Sequence, residues 1–249
     1  MNNNIKILNE KFLKVKNLNW IKATSKGNGN VGITFENAIG KERENFPIAD
    51  YNGIEIKTSL NKNTRPYITL FSATPDGPYI FETQVLKERY GWTSPKLKDY
   101  KVFYARVNAK KLRKINNKYF MKINVDYNNE KIFLEVYDLN YHLLEKECFW
   151  NFKTIEEKLQ TKLYYLAYIK AERKYENRQV FFKYTEITFL KIKSFKQFLF
   201  LLDRGEINIC FKIGVYLSKN KLGKSYDHGT GFEIRKETLL NLYSIIKTS

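Results

Sequence analysis

Hydrophobic and polar residues alternate with a period of two over several short stretches of the chain, and that period predicts strands. Residues 54–60 give the clearest case, and residues 67–71 follow. Further strands are expected near residues 102–107, 121–125 and 132–137. Another runs through Ile207, Ile209, Phe211 and Ile213, with Asn208, Cys210 and Lys212 on its opposite face. Asn52-Gly53 marks a tight turn just before the first of these strands. Helical spacing appears elsewhere. Thr34 is placed to cap a short helix that ends at Gly40. Thr154 is placed to cap a long one carrying Ile155, Leu159, Leu163, Leu166 and Ile169. Ser194 precedes a third, with Phe195, Phe198, Leu199 and Leu202 on one side and Gly205 as its stop, and a last helix is expected over residues 239–246. The pattern predicts a mixed α/β (α+β) protein whose character changes near Trp150, giving two lobes, 1–150 and 151–249.

The composition supports a folded chain. Of 249 residues, 43% are hydrophobic and 16% aromatic, ample apolar surface to offset chain entropy. The longest apolar run, Phe198 to Leu202, is far short of the roughly 20 residues that a membrane-spanning helix needs. The opening Met-Asn-Asn-Asn-Ile-Lys lacks the apolar core of a secretory signal, and two cysteines, Cys148 and Cys210, make no disulfide framework. A soluble intracellular protein is expected, with no membrane partner.

Charge sharpens the picture. Lys and Arg total 44 against 26 Asp and Glu, a formal net charge of +18. Self-repulsion of that size points to a polyanionic partner. The surplus is concentrated: residues 96–122 hold ten Lys/Arg and one acid, Asp99, while residues 212–224 hold four lysines and no acid. Aromatic residues are interleaved with both stretches, as in Tyr100, Tyr104 and Tyr216, and such stripes suit nucleic-acid phosphates.

Against this basic background, Asp50-Tyr51-Asn52-Gly53-Ile54-Glu55-Ile56-Lys57 stands out. Strand alternation puts Glu55 and Lys57 on one face and Ile54 and Ile56 on the other. The Asn-Gly turn folds Asp50 back beside the start of the strand. Two carboxylates and an ammonium then converge, the grouping that Mg²⁺-dependent phosphodiester hydrolysis needs: hard oxygens for the ion, and a lysine to position or deprotonate the attacking water. Glu36, on the preceding short helix, can add a further acid.

These residues carry a family likeness. Gly32-Ile33-Thr34-Phe35-Glu36-Asn37, then Asp50, then Gly53-Ile54-Glu55-Ile56-Lys57-Thr58, and later Asp227-His228-Gly229-Thr230-Gly231-Phe232, resemble the MvaI/BcnI restriction endonucleases, relatives of the nickase MutH. The resemblance runs over most of the chain. It implies a MutH-like fold of the PD-(D/E)xK type, with a central mixed sheet flanked by helices and two lobes forming a DNA cleft. It also implies a monomer that hydrolyses double-stranded DNA at a short pseudopalindromic site, CCWGG, one strand at a time. Asp50 and Glu55 would be the Mg²⁺ ligands, with the carbonyl of Ile56 as a third, Lys57 the catalytic lysine, and Glu36 the group that orients a water or second metal. Ala49 stands where many members of the wider superfamily carry a proline.

Outside this core, Lys101 is a candidate phosphate contact, with Lys96, Lys98 and Arg106. Arg204, Lys212 and Arg235 are candidate guanine or phosphate contacts, Tyr216 a candidate for stacking, and Asp227 and His228 candidates for hydrogen bonding to base edges. No obligate protein partner is expected; a cognate DNA methyltransferase would be a functional partner, and the setting the bacterial cytoplasm. Two other readings stay open at this point: a MutH-like repair nickase, and a non-catalytic basic protein that binds DNA or RNA.

Overall fold

The computed structural model describes residues 2–27, 29–41, 49–61, 66–77, 81–227 and 229–249, with the backbone alone at residues 2, 81–84, 219 and 227. It divides into two compact units, Met1–Pro66 with Leu159–Lys193 and Leu240–Ser249, and Tyr67–Lys158 with Ser194–Leu239. Each unit is assembled from separated parts of the chain, so no single cut near residue 150 separates them. The physical reason lies in the Ile54–Leu60 strand, whose pairing partner is Tyr165–Glu176, more than a hundred residues later.

The first unit is a mixed five-stranded sheet. Ile54–Leu60 runs parallel to Tyr165–Glu176, which forms a long antiparallel hairpin with Gln179–Ile192. Ile21–Lys22 and Tyr243–Thr248 both pair antiparallel with Gln179–Ile192. Helices Asn2–Asn17 and Asn30–Ala38 supply Leu8, Phe12 and Phe35 to a core shared with Ile54, Ile56, Ile169, Phe182 and Tyr184. Phe35 lies 5.1 Å from the Tyr184 ring, and the Tyr184 hydroxyl donates to the Val31 carbonyl at 2.7 Å. One residue therefore anchors the Asn30–Ala38 helix to the sheet twice, by ring contact and by hydrogen bond.

Most expected elements form where the sequence placed them, notably Ile54–Leu60, Tyr67–Ser72, Lys101–Val107 and Ile207–Val215. Ser194 caps the Phe195–Asp203 helix, its hydroxyl accepting from the Gln197 N–H, and Gly205 follows at φ 72°. Three expectations are corrected. The helix expected to run through Ile169 ends at Lys162, and the Tyr165 strand takes over. Leu163, Leu166 and Ile169 fit helical spacing, but Ala167, Ile169 and Ala171 fit a period of two equally well. The sheet offers partners on both edges of that strand, which decides the outcome. Likewise the last helix spans only Leu239–Leu242 before Tyr243–Thr248 joins the sheet. Thr34 and Thr154 both sit inside their helices, Asn30–Ala38 and Phe152–Lys162, rather than at the caps; Thr34 is buried and accepts a hydrogen bond from the Thr24 N–H at 3.1 Å.

The second unit holds two sheets. One orders Tyr67–Ser72, Gly231–Arg235, Ile207–Val215, Lys101–Val107 and Trp92–Thr93, with Ser225–Asp227 also paired to Ile207–Val215. The other orders Phe149–Asn151, Lys131–Tyr137, Tyr119–Asp126 and Arg113–Ile115, with Leu143–Glu145 beside Lys131–Tyr137. Buried Trp150 packs on Phe211 and Phe232 and donates its indole N–H to the Ala73 carbonyl at 3.0 Å. Among the described residues, no helix is long and apolar enough to cross a membrane.

Because Phe35 is fully buried between Phe12 and Tyr184, Phe35→Ala should lower the unfolding free energy by about 3–5 kcal/mol. Tyr184→Phe should cost roughly 0.5–1.5 kcal/mol by removing the hydroxyl's hydrogen bond to the Val31 carbonyl. Urea unfolding of the two variants measures both.

Candidate active site

The Asn-Gly turn makes the site. Asn52 and Gly53 both have positive φ, 45° and 85°, and Tyr51 and Ile54 exchange backbone hydrogen bonds of 2.9 and 2.8 Å across them. These dihedral signs suit a tight hairpin turn, and asparagine followed by glycine adopts them at little steric cost. The reversal brings Asp50 back along the strand that follows, where its Oδ2 accepts the Ile56 N–H at 3.0 Å. A strand residue's N–H and C=O point to the same side, so the Ile56 carbonyl shares the open edge on which Asp50 lies.

Glu55 is 2% exposed. Its Oε1 accepts from the Lys57 ammonium at 2.6 Å, confirming that the two side chains share one face of the strand, and Lys162 lies 3.8 Å from the same oxygen. The other oxygen, Oε2, is buried with no hydrogen-bond partner among the described residues. Burial disfavours the charged form and raises the Glu55 pKa; Asp50 adds to the rise, and Lys57 and Lys162 only partly oppose it. Asp50 shows the reverse balance. Burial pushes its pKa up, but the Lys41 ammonium, 2.9 Å from Oδ1, and the Ile56 N–H outweigh that and leave it lowered.

Glu36 joins through Lys41, whose ammonium stands 3.4 Å from Glu36 Oε2. The Asn30–Ala38 helix approaches the Ile54–Leu60 strand closely at Gly32, where a Cβ would come within 3.3 Å of Thr58 Oγ1 and 3.8 Å of Glu36 Oε1. That approach aims Glu36 at the strand that carries Glu55 and Lys57. The described site therefore holds three carboxylates, Glu36, Asp50 and Glu55, and three ammonium groups, Lys41, Lys57 and Lys162. Among the described residues no three His, Cys, Asp or Glu side chains are grouped to hold a metal ion. The oxygens that could take a cation are those of two carboxylates, Asp50 and Glu55, with the Ile56 carbonyl. The unbonded oxygen of Glu55 is the observation that fits one, since a buried carboxylate oxygen without a donor is a cost that a hard cation removes.

Sequence reasoning missed Lys41 and Lys162. Lys41 has a signal, five residues after Glu36 and nine before Asp50, but lysine is too common in this chain to single one out. Lys162 reaches Glu55 only because its helix leads into the strand paired with Ile54–Leu60.

The expected DNA contacts fall in the second unit. Lys101 is exposed and donates to the Glu88 carbonyl at 2.5 Å. Arg204 ends the Phe195–Asp203 helix, 3.4 Å from Glu206 and over the Phe200 ring. Lys212 is half-buried and bonded to Glu233 at 2.7 Å. Tyr216 packs at 4.9 Å from Tyr226 with Lys221 over its ring, and exposed Arg235 pairs with Glu237 at 3.1 Å beside the Tyr67 ring. The Asp227 backbone ends the Ser225–Asp227 strand; its side chain and the whole of His228 lie outside the described residues.

The two carboxylate shifts have opposite consequences for stability. The lowered Asp50 pKa contributes stability that is present above the ordinary aspartate value of 3.8 and is lost as pH falls through the folded value. The raised Glu55 pKa means that the folded state holds a proton more tightly than the unfolded one, so stability is lost as pH rises from 4.5 through the folded value. Glu55→Gln should therefore raise the melting temperature of the metal-free protein at pH 7, and the gain should vanish below about pH 4.5, where glutamate is protonated in both states. Melting curves of the two proteins in EDTA across that range check it.

Comparison with known proteins identifies the family. The profile of the MvaI/BcnI restriction endonuclease family matches residues 9–243. Comparison with curated proteins gives no match. Among solved structures, a restriction endonuclease MvaI–cognate DNA substrate complex superposes with a TM-score of 0.88 at 30% identity, covering 96% of each chain. Restriction endonuclease MvaI in the absence of DNA gives 0.63 at 29% identity, over 100% of this chain and 98% of that one. At this identity the chain is a relative of MvaI rather than MvaI itself, and the mixed sheet flanked by helices is the architecture they share. With the family profile matched over residues 9–243 and Asp50, Glu55 and Lys57 gathered at one strand, the chain belongs to the MvaI/BcnI restriction endonuclease family.

Proposed function

We propose that this chain is a Mg²⁺-dependent type II restriction endonuclease that cuts double-stranded DNA at a short pseudopalindromic site, CCWGG being the first to test. It would act as a monomer that nicks each strand in turn. The observation that carries the metal dependence is the unbonded buried oxygen of Glu55 beside Asp50. Asp50, Glu55 and the Ile56 carbonyl would hold the ion. When bound, Mg²⁺ supplies positive charge to the scissile phosphate and acidifies water.

The chain's own groups do the rest. Lys57, held on the strand face by Glu55, positions the attacking water and takes up or guides its proton. Glu36 orients a second water or ion from the helix, with Lys41 holding Glu36 and Asp50 at a fixed spacing in the metal-free protein. Lys162 balances the charge of Glu55. The first unit, with the Asp50–Lys57 segment, takes the catalytic role, and the second takes recognition through Lys101, Arg204, Lys212, Tyr216, Asp227, His228 and Arg235. In a bacterial cytoplasm such an enzyme works beside a cognate methyltransferase that protects the host's sites. One active site per chain means that a double-strand break needs two visits, so nicked circles should precede linear DNA.

Supercoiled plasmid incubated with Mg²⁺ should give discrete fragments sharing one short sequence at their ends, with nicked circles as intermediates, and EDTA should abolish cleavage. Nicking that never proceeds to linear DNA would instead favour a repair nickase. Lys57→Ala should lower the cleavage rate by about 10²–10⁴-fold while DNA retardation in gels stays intact. Undiminished cleavage by Lys57→Ala would remove the lysine from the mechanism.

A further inference from the structure

The second unit contains a buried carboxylate that the cleavage chemistry does not use. Glu233 is 4% exposed on the Gly231–Arg235 strand, which lies between Tyr67–Ser72 and Ile207–Val215 in the six-stranded sheet. Its Oε2 accepts from Arg106 Nε at 3.0 Å and Nη2 at 2.7 Å. Its Oε1 accepts from Lys212 Nζ at 2.7 Å and from Thr69 Oγ1 at 3.3 Å. Strand register brings these groups together, since Cys210 faces Arg106 on one side and Gly231 on the other, while Glu233 faces Asn208 and Thr69. Beneath the guanidinium lies the Tyr67 ring, 4.1 Å from Arg106 Cζ.

The two cations stay accessible: the side chains of Arg106 and Lys212 are 41% and 33% exposed. Of the five N–H donors of a guanidinium, Glu233 takes two on one edge, which leaves the outer Nη1/Nη2 edge directed away from the carboxylate. The plane is fixed from below by Tyr67 and from the side by Glu233.

Two uses compete for such a group. A phosphate contact needs charge, and a buried carboxylate that cancels one of two neighbouring positive charges works against it. A base contact needs direction, and a planar two-donor edge locked in place suits the O6/N7 pair of guanine in the major groove. The burial of Glu233 weakens the first use and serves the second. Resting on the nuclease reading above, we propose that Arg106, expected from sequence to meet phosphates, reads a guanine of the target site through its outer edge. Glu233 is the positioning residue that holds Arg106 and Lys212 at the angle this requires.

The test uses the duplex site identified by end-sequencing, with each guanine replaced in turn by 7-deazaguanine, which still pairs with cytosine but lacks the N7 acceptor. Wild-type cleavage should fall roughly 5- to 150-fold at one guanine position or its symmetry mate. Arg106→Lys keeps the charge but not the fork; it should lose a similar factor on the unmodified duplex and show no further penalty at that position. Glu233→Gln should also blunt the penalty there, while the salt dependence of non-specific binding stays unchanged in both variants. The proposal is overturned if no guanine gives a penalty, if Arg106→Lys cleaves like the wild type, or if the Arg106→Lys and 7-deazaguanine losses multiply at every position. Because the substituted duplexes probe the wild-type protein, these outcomes do not hinge on a variant folding. Absence of any Mg²⁺-dependent cleavage by the wild type would mark the failure of the nuclease reading itself.

Discussion

Everything in the first unit converges on one energetically awkward group, the carboxylate of Glu55. Holding an acid almost entirely out of water is costly unless partners replace the lost hydration. Here the replacement is partial: Lys57 and Lys162 serve one oxygen, and the other has no donor among the described residues. A protein selected for stability alone would place glutamine or an apolar residue at this position. The strand instead keeps a charge deficit beside a second carboxylate, and on the proposed function that deficit is what a divalent cation would fill. Such a site is stable enough to persist and unsatisfied enough to bind.

The surrounding fold exists to hold that strand still. Ile54 and Ile56 anchor one face into the core shared by the N-terminal helices and the long hairpin, so the opposite face is fixed in register. The parallel neighbour Tyr165–Glu176 pins one edge, and Asp50 caps the open edge through the Ile56 N–H. Phe35 and Tyr184 tie the Glu36 helix to the same core. In the second unit a comparable arrangement recurs with different purpose: Glu233 is buried but fully bonded, and its partners face outward. One buried acid is left short of donors where we propose an ion binds; the other is saturated where we propose side chains are aimed.

Much of this was legible in the sequence, and the parts that were not share a cause. The turn at Asn52-Gly53, the alternation from Ile54 to Leu60 and the cap at Ser194 are local signals, and each appears in the structure as read. Asp50, Glu55 and Lys57 were legible because one stretch of eight residues brings them together. Lys162 was not, because its distance from Glu55 is set by a pairing between strands a hundred residues apart. The segment after Leu163 satisfied two periods at once, and only the availability of partner strands on both edges selected one of them. The bracing of Arg106 by Glu233 depends likewise on register between distant strands, invisible to any local pattern.

The most direct measurement is the anomalous scattering of crystals soaked in Mn²⁺, a hard cation that takes the same oxygen ligands as Mg²⁺. The account predicts a manganese peak in contact with the carboxylates of Asp50 and Glu55, and its loss in Glu55→Gln crystals. A well-occupied Mn²⁺ elsewhere in a protein that cuts DNA, with Asp50 and Glu55 left unliganded, would contradict it.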